Sequence, residues 1–300
     1  MDDIPVPVAA GKSRFIQKLR EDLRARGYAY ATERTYLHWI KRFIYYSGRR
    51  HPKELGAQQV EQFLNALAVK YRVSPATQRT ALNALVYLYV KFFGRPPEDL
   101  VFEYAKPSRR LPVVLTHSEV EEIMQHMSGT PRLMIELLYG SGLRLQECLN
   151  LRVKDIDFGL NVITVREGKG NKDRTTLLPA ITKERLEIQI DKALSLHKQD
   201  IADGYGEVYL PYALERKYAD AAKSAAWQYV FPSSRLGKDP RSGTIRRHHL
   251  HSTSLRKHLK VAMRKTNIHK RVTTHTFRHS FATRLLQNGY DIRTIQKLQA

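Results

Sequence analysis

From Ser13 to Gly94 the apolar positions return every three or four residues, the repeat of helices that bury one face. Phe15, Ile16, Leu19 and Leu23 make the first stripe, closed by Gly27, and Tyr36, Ile40, Phe43 and Ile44 make the second, closed by Gly48. Val60, Phe63, Leu64 and Leu67 form a third. The fourth opens with Ser74-Pro75, a cap followed by proline at the first helical position, and stops at Gly94. Four helices and no strand are predicted. Gly94-Arg-Pro-Pro and Lys106–Pro112 then bracket a stretch with little periodicity, as in an extended basic linker over 96–112.

Beyond Leu115 the pattern is mixed. Thr116 and Glu119 have the spacing of a capping box ahead of Val120, Ile123 and Met124. Leu133–Leu151 reads as an apolar helix interrupted at Gly140-Ser-Gly142 and restarted near Arg144. Asp155–Phe158, Val162–Val165 and Thr175–Leu178 are short β-like runs, the last two joined by the polar turn Glu167–Arg174, and Ile181–His197 returns to helix. Tyr218–Trp227 reads as an alanine-rich helix, followed by Val230-Phe-Pro and a Pro/Gly/Ser/Arg loop. Helices are expected from about Thr253, over Val272–Gln287 and after Asn288. In the middle one Thr273 or Thr274 is the cap, Phe277, Phe281, Ala282, Leu285 and Leu286 form the buried stripe, and His275, Arg278 and His279 crowd the first turn. The fold expected is mainly helical with a small β-sheet or hairpin: a helical domain over 10–95, the linker 96–112, and an α+β domain over 113–300.

Composition narrows the partner. Fifty-one Lys and Arg against 29 Asp and Glu give a formal charge of +22, and such an excess favours a polyanion, nucleic acid before a membrane surface. Between Asp239 and Asp291 there are twelve Lys/Arg and seven His and no carboxylate. No apolar run approaches the roughly 18 residues of a membrane span. The opening MDDIPVPVAAGKS does not read as a signal peptide, so a cytoplasmic location is expected. Cys148 is the only cysteine, which excludes an intrachain disulfide or thiolate zinc site; neither metal nor cofactor is implied.

The candidate chemistry is cationic. Arg144 follows a Gly-Ser-Gly turn that lets backbone approach an anion, Lys169 stands between glycines at a hairpin tip, and His275 and Arg278 share a helical face. Singly, each has a plain reading: an arginine paired with Glu147 across one turn, a solvated hairpin lysine, a cationic helix surface. On the helical domain Arg79 and Lys91, with Lys41 and Lys70, point outward as a DNA-gripping set. Between 203 and 251 aromatic and proline side chains beside arginines suit stacking on unpaired bases, while Tyr229 and Phe231 read as core.

Taken in order, G-S-G-L-R-L-Q-E at Arg144, G-K-G-N-K-D-R at Lys169 and H-T-F-R-H-S-F-A-T from His275 resemble the tyrosine recombinases, the phage integrase family, over essentially the whole chain. L-E-R-K-Y with W-Q-Y-V-F-P, D-P-R-S-G-x-x-R-R-H-H, and G-Y-D-I-R-T-I-Q look most like integron integrases, marked by an insertion at roughly 202–252. The resemblance implies a SAM-like core-binding domain followed by the catalytic domain. It implies that Arg144 and Arg278 hold the non-bridging oxygens of a scissile phosphate, that Lys169 protonates the leaving 5′ oxygen, and that His275 moves a proton. Glu119 and Glu147 are supports orienting Arg144 and the local helix. A tyrosine forms a 3′-phosphotyrosyl link that conserves the bond energy, so no cofactor or metal is required. The family's register puts that tyrosine past Ala300, so the 300 residues are expected to bind DNA without cutting it.

The implied partners are folded single-stranded hairpin sites and duplex sites, with four protomers on two DNA partners and no membrane. Trp227 is expected to stack on one extruded base, Pro240 and His249 to line another, and Arg246 and Arg247 to join the DNA contacts. Alternatives are a Xer- or phage-like recombinase of plain duplex, a DNA-binding protein without cleavage on the same fold, and an RNA-binding protein. The last explains the charge but not the four residues together.

Overall fold

The computed structural model describes residues 13–95, 111–166, 173–210, 214–239 and 243–299, which fall into two compact units that divide between 95 and 111. In the first, α1 (Arg14–Ala25), α2 (Tyr30–Tyr46), α3 (Ala57–Val69) and α4 (Pro75–Val86) are the four helices that the spacing predicts. Ser74 Oγ accepts from the Thr77 amide at 3.2 Å, and α4 loosens into a π-type turn over Tyr87–Phe92. Leu19, Leu23, Ile40, Phe43, Leu67 and Leu85 are wholly buried, each contributing about 1.5–3 kcal/mol of transfer free energy. Among the described residues one charge enters this core: Glu33 on α2, gripped by Arg24 of α1 through Nε at 2.9 Å and Nη2 at 3.3 Å. The pair locks α1 to α2.

The second unit begins with α5 (His117–Gln125), α6 (Gly129–Ser141) and α7 (Leu145–Asn150), followed by β1 (Ile156–Asp157), β2 (Val162–Val165) and β3 (Arg174–Leu177). These strands form one antiparallel sheet in the order β1-β2-β3, with Val165 opposite Arg174 and Val162 opposite Leu177. Then come α8 (Lys183–Ala202), α9 (Leu214–Lys217), the hairpin β4 (Pro232–Lys238) with β5 (Ile245–His249), and α10 (Ser252–Met263), α11 (Thr274–Gln287) and α12 (Ile292–Gln299). Helix α6 is buried on every side from Leu133 to Tyr139, and α11 packs along it. Phe281, Leu285 and Ile295 seat α12 on α11. Among the described residues no helix is long and apolar enough to cross a membrane.

Two expectations about the 202–252 stretch change. Tyr218–Trp227 is not one helix but two short 3₁₀ turns, Ala219–Lys223 and Ala225–Trp227. The Gln228 amide donates to the carbonyls of Gly206, Ala222 and Ser224 at 3.2–3.4 Å, a local alternative to a continuous helical ladder. The expected loop after Phe231 is the β4–β5 hairpin, whose register shifts between Pro232 and Leu236. Its strands carry no apolar alternation because arginine–carboxylate pairs fix them. In α11, Leu286 is 49% exposed and leaves the buried stripe.

Candidate active site

The site starts with a backbone requirement. Helix α6 ends on Gly142 at φ +63°, the left-handed conformation that glycine takes without a Cβ penalty. A Cβ there would also lie 2.4 Å from the Phe281 ring, so glycine lets α11 come close. The same residue's carbonyl accepts from Nη1 of Arg278, which projects from α11 and is 5% exposed. Two residues on, Arg144 caps α7.

Glu147 gathers the rest. Its Oε2 accepts from the Arg144 amide at 2.7 Å and its Oε1 from Arg144 Nη1 at 2.6 Å. Arg174, the first residue of β3, reaches the same carboxylate with Nη1 at 3.0 Å and Nη2 at 2.7 Å. Arg278 Nη1 lies 3.7 Å from Oε2. Three guanidiniums therefore share one carboxylate and leave a net positive pocket. Burial alone would raise the Glu147 carboxyl, but hydrogen bonds from Arg174 and from the backbone and side chain of Arg144 bring it down to about 2. Burial lowers Arg278 to about 10, repulsion from Arg144 adds to this and Glu147 opposes it; the group stays charged at neutral pH.

One oxygen already sits where such a pocket would take an anion. The main-chain carbonyl of Gln299 accepts from Arg278 Nη2 and, at 3.2 Å, from Arg144 Nη2. It is an acceptor shared by two guanidiniums from distant parts of the chain. Arg174 Nε donates in turn to the Leu298 carbonyl at 3.0 Å. His275 stands in the first turn of α11, its ring edge-on to His279 at 4.5 Å. Burial, then His279, Arg278 and Arg144, lower its pKa, which favours the uncharged imidazole. The capping alternative resolves to Thr273, whose amide donates to Thr276 Oγ1 at 3.0 Å.

Of the residues expected here, Arg144, Arg278, His275 and Glu147 come together. Lys169 and Pro240 lie outside the described residues. Glu119 does not touch Arg144; it accepts from the Thr116 amide and from Lys270 Nζ, both at 2.7 Å, and so ties α5 to the segment leading into α11. Arg79 and Lys91 are exposed, as a DNA-facing role needs. The β5 set faces inward instead. Arg246 is 6% exposed beside Asp239 at 3.3 Å, and Arg247 holds Asp200 through Nε at 2.5 Å and Nη2 at 2.6 Å. His249 is buried against Tyr229, with burial pushing it down to about 4. Each is at odds with an outward DNA contact, because its side chain is turned in against protein groups. Trp227 is half-buried, with the Lys154 ammonium 2.8 Å from its ring centroid and Arg152 at 5.2 Å. Arg174 was missed: the sequence reading ends a polar turn on it, and only the β2–β3 register turns it toward Glu147.

Two arginines converging on one oxygen, with a neutral imidazole near, can neutralise a phosphodiester and move a proton. The phage integrase family matches residues 113–300, and its N-terminal SAM-like domain matches residues 15–99. The chain belongs to the phage integrase family. Its members are tyrosine recombinases, enzymes that transfer DNA strands. An integrase/recombinase from Escherichia coli is 45% identical over 295 residues, spanning 95% of this chain and 85% of that one. Tyrosine recombinase XerA of Thermococcus onnurineus is 29% identical over 292 residues, 95% of this chain and 86% of that one. The Tn1549 transposon integrase, solved with circular intermediate DNA, superposes with a TM-score of 0.59 at 16% identity, covering 95% of this chain and 90% of that one, a likeness of fold.

Proposed function

We propose that this chain is a site-specific DNA recombinase of the integron integrase type, which binds folded single-stranded and duplex sites and assembles as four protomers on two DNA partners. The observation that carries the phosphate chemistry is the oxygen shared by Arg144 and Arg278. A scissile phosphate displaces the Gln299 carbonyl and takes both guanidiniums through its non-bridging oxygens, stabilising the charge of the pentacoordinate state. His275 hydrogen-bonds that phosphate and relays a proton. Lys169 protonates the leaving 5′ oxygen as a tyrosine hydroxyl attacks phosphorus, forming the 3′-phosphotyrosyl bond as the P–O5′ bond breaks. In the helical unit exposed Arg79 and Lys91 grip phosphates.

The integron type rests on the sequence markers and on the 202–252 stretch, which carries its own small core of Val208, Leu210, Ala222 and Tyr229. Trp227 at its edge is the base-stacking residue, and an incoming base competes with Lys154 for the ring. The inward arginines and His249 favour the second reading, a Xer-like recombinase of plain duplex. Gel shifts with a hairpin site and its fully paired duplex, each at two salt concentrations, separate the readings. Tighter hairpin binding supports the integron type, and equal binding supports the duplex type. No binding of either at low salt refutes the proposal.

A further inference from the structure

The helical unit holds a second site. The first turn of α1, the loop at His51–Lys53 and the end of the π-type turn border an open cleft of about 490 Å³, in the range of small-ligand pockets. Phe15, Phe92 and Phe93 supply its aromatic wall, and Arg14, Lys18 and Lys53 its charge. Phe15 stacks near-parallel with Phe93 at 6.1 Å and meets His51 edge-on at 4.9 Å. The Lys53 ammonium stands 5.8 Å over the Phe93 ring. Arg95 fixes the loop, donating to the carbonyls of Leu55 at 2.8 Å and Lys53 at 2.5 Å. His51 Nδ1 accepts from the Lys53 amide at 3.2 Å, which leaves the ring proton on Nε2 as a donor. Among the described residues no carboxylate pairs with Arg14, Lys18 or Lys53, and none lines the cavity. Half-buried phenylalanines ringed by three such cations are more than a core edge: a packing cluster needs the rings but not the charge.

We propose that this cavity binds one nucleotide of an unpaired DNA strand, the base against Phe15 and Phe93 and the phosphate on Arg14, Lys18 and Lys53. Aromatic faces accept any base, because every base has a π-face, and the cations supply the phosphate contact. The inference goes beyond the recombinase reading, since nothing in it requires strand transfer. A free nucleotide has the same chemistry, and the test distinguishes the two.

The test uses the whole chain and an oligothymidylate of about eight nucleotides, within the span that single-strand sites cover. One thymine is replaced by 5-iododeoxyuridine for photocrosslinking. The crosslink is expected on peptides carrying Phe15, or Phe92 and Phe93. Phe93→Leu, which keeps apolar bulk, and Lys18→Glu with Lys53→Glu should each weaken oligothymidylate binding about tenfold while duplex affinity holds within about twofold. Arg278→Ala should leave the crosslink in place, so a failure of the catalytic-unit reading shows separately. Crosslinks mapping only outside the cavity overturn the proposal. So do equal losses on duplex and single strand with Phe93→Leu silent, which define a plain cationic surface. Thymidine monophosphate displacing the oligomer at equal concentration assigns the cavity to free nucleotides and overturns the DNA source.

Discussion

Arg174 lies against Glu147 with both arms of its guanidinium, Nη1 at 3.0 Å from Oε1 and Nη2 at 2.7 Å from Oε2. Neither side chain is more than 9% exposed. Arg174 is thus a positioning residue: it fixes the carboxylate that fixes Arg144. Arg174→Ala should destabilise the chain by about 3 kcal/mol, the lower end for breaking a buried pair, because Arg144 still serves Glu147. Arg174→Lys should restore much of the stability but not the two-armed geometry, so site-DNA affinity should stay reduced. Urea melts and gel shifts on both variants check this; full DNA affinity in the lysine variant would make Arg174 a matter of folding alone.

The same carboxylate predicts an acid transition. Glu147 falls from an ordinary value of 4.5 to about 2 in the folded chain, so its contribution is complete above about pH 4.5 and disappears as pH falls toward 2. Linkage puts the whole effect at about 3 kcal/mol, and the site is too buried for much solvent screening. Glu147→Gln should be less stable at neutral pH and lose most of the wild-type slope between pH 5 and about 2. Urea midpoints across that window test it; an unchanged slope would assign the acid sensitivity to other carboxylates.

Much of this was legible in the sequence, for reasons that differ by residue. The four helices of the first unit were readable because the Phe15–Leu23 and Val60–Leu67 stripes are strictly periodic and Ser74-Pro75 marks a start. Arg144, His275 and Arg278 were legible through local motifs, and the structure adds only their convergence. Arg174 was hidden because its role depends on register: one position earlier or later on β3 would turn it away from Glu147. The β4–β5 hairpin was hidden because strands fixed by Arg246–Asp239 and Arg247–Asp200 pairs have no apolar alternation to read. Glu119 was expected, from the resemblance, to support Arg144 and the local helix, yet its carboxylate caps α5 and meets Lys270 where it stands.

His275 gives DNA binding a pH dependence. Burial, His279, Arg278 and Arg144 hold it below its ordinary 6.5 in the free chain, and a phosphate placed against it would raise it. Binding then takes up a proton, so affinity should rise as the solution is made more acid and level off toward alkaline pH. His275→Gln should flatten this trend and leave the affinity at pH 8 within about twofold. Fluorescence anisotropy from pH 5.5 to 8 at fixed salt measures it. A wild-type trend that survives in the variant would move the proton to His279, whose pKa is also lowered by burial and Arg278.

Gly142 should be hard to replace. Alanine there meets two costs, a left-handed φ of +63° and a Cβ 2.4 Å from the Phe281 ring, which must move and take α11 with it. Backbone strain of this kind costs about 1–3 kcal/mol, and the shift would also carry Arg278 off the Gly142 carbonyl. Gly142→Ala should therefore lose stability and site-DNA affinity together. Pairing it with Phe281→Leu, which vacates the contact, should return part of the affinity. Gly142→Ala melting like the parent would mean that the turn relaxes freely.

Trp227 decides between the two recombinase readings. If it stacks on an extruded base, Trp227→Ala should cost hairpin binding about 1–3 kcal/mol while duplex binding hardly changes. Lys154 complicates the ring: its ammonium lies 2.8 Å from the centroid, and burial with repulsion from Arg166 lowers it to about 8. A base that displaces this ammonium sends it back toward water, so Lys154→Met should tighten hairpin binding if the two compete for one face. If instead Lys154 helps to hold the phosphate of that base, the methionine variant should weaken it. Equal losses on hairpin and duplex for Trp227→Ala would make the ring a support for Arg152 and Lys154, and the duplex reading would then stand.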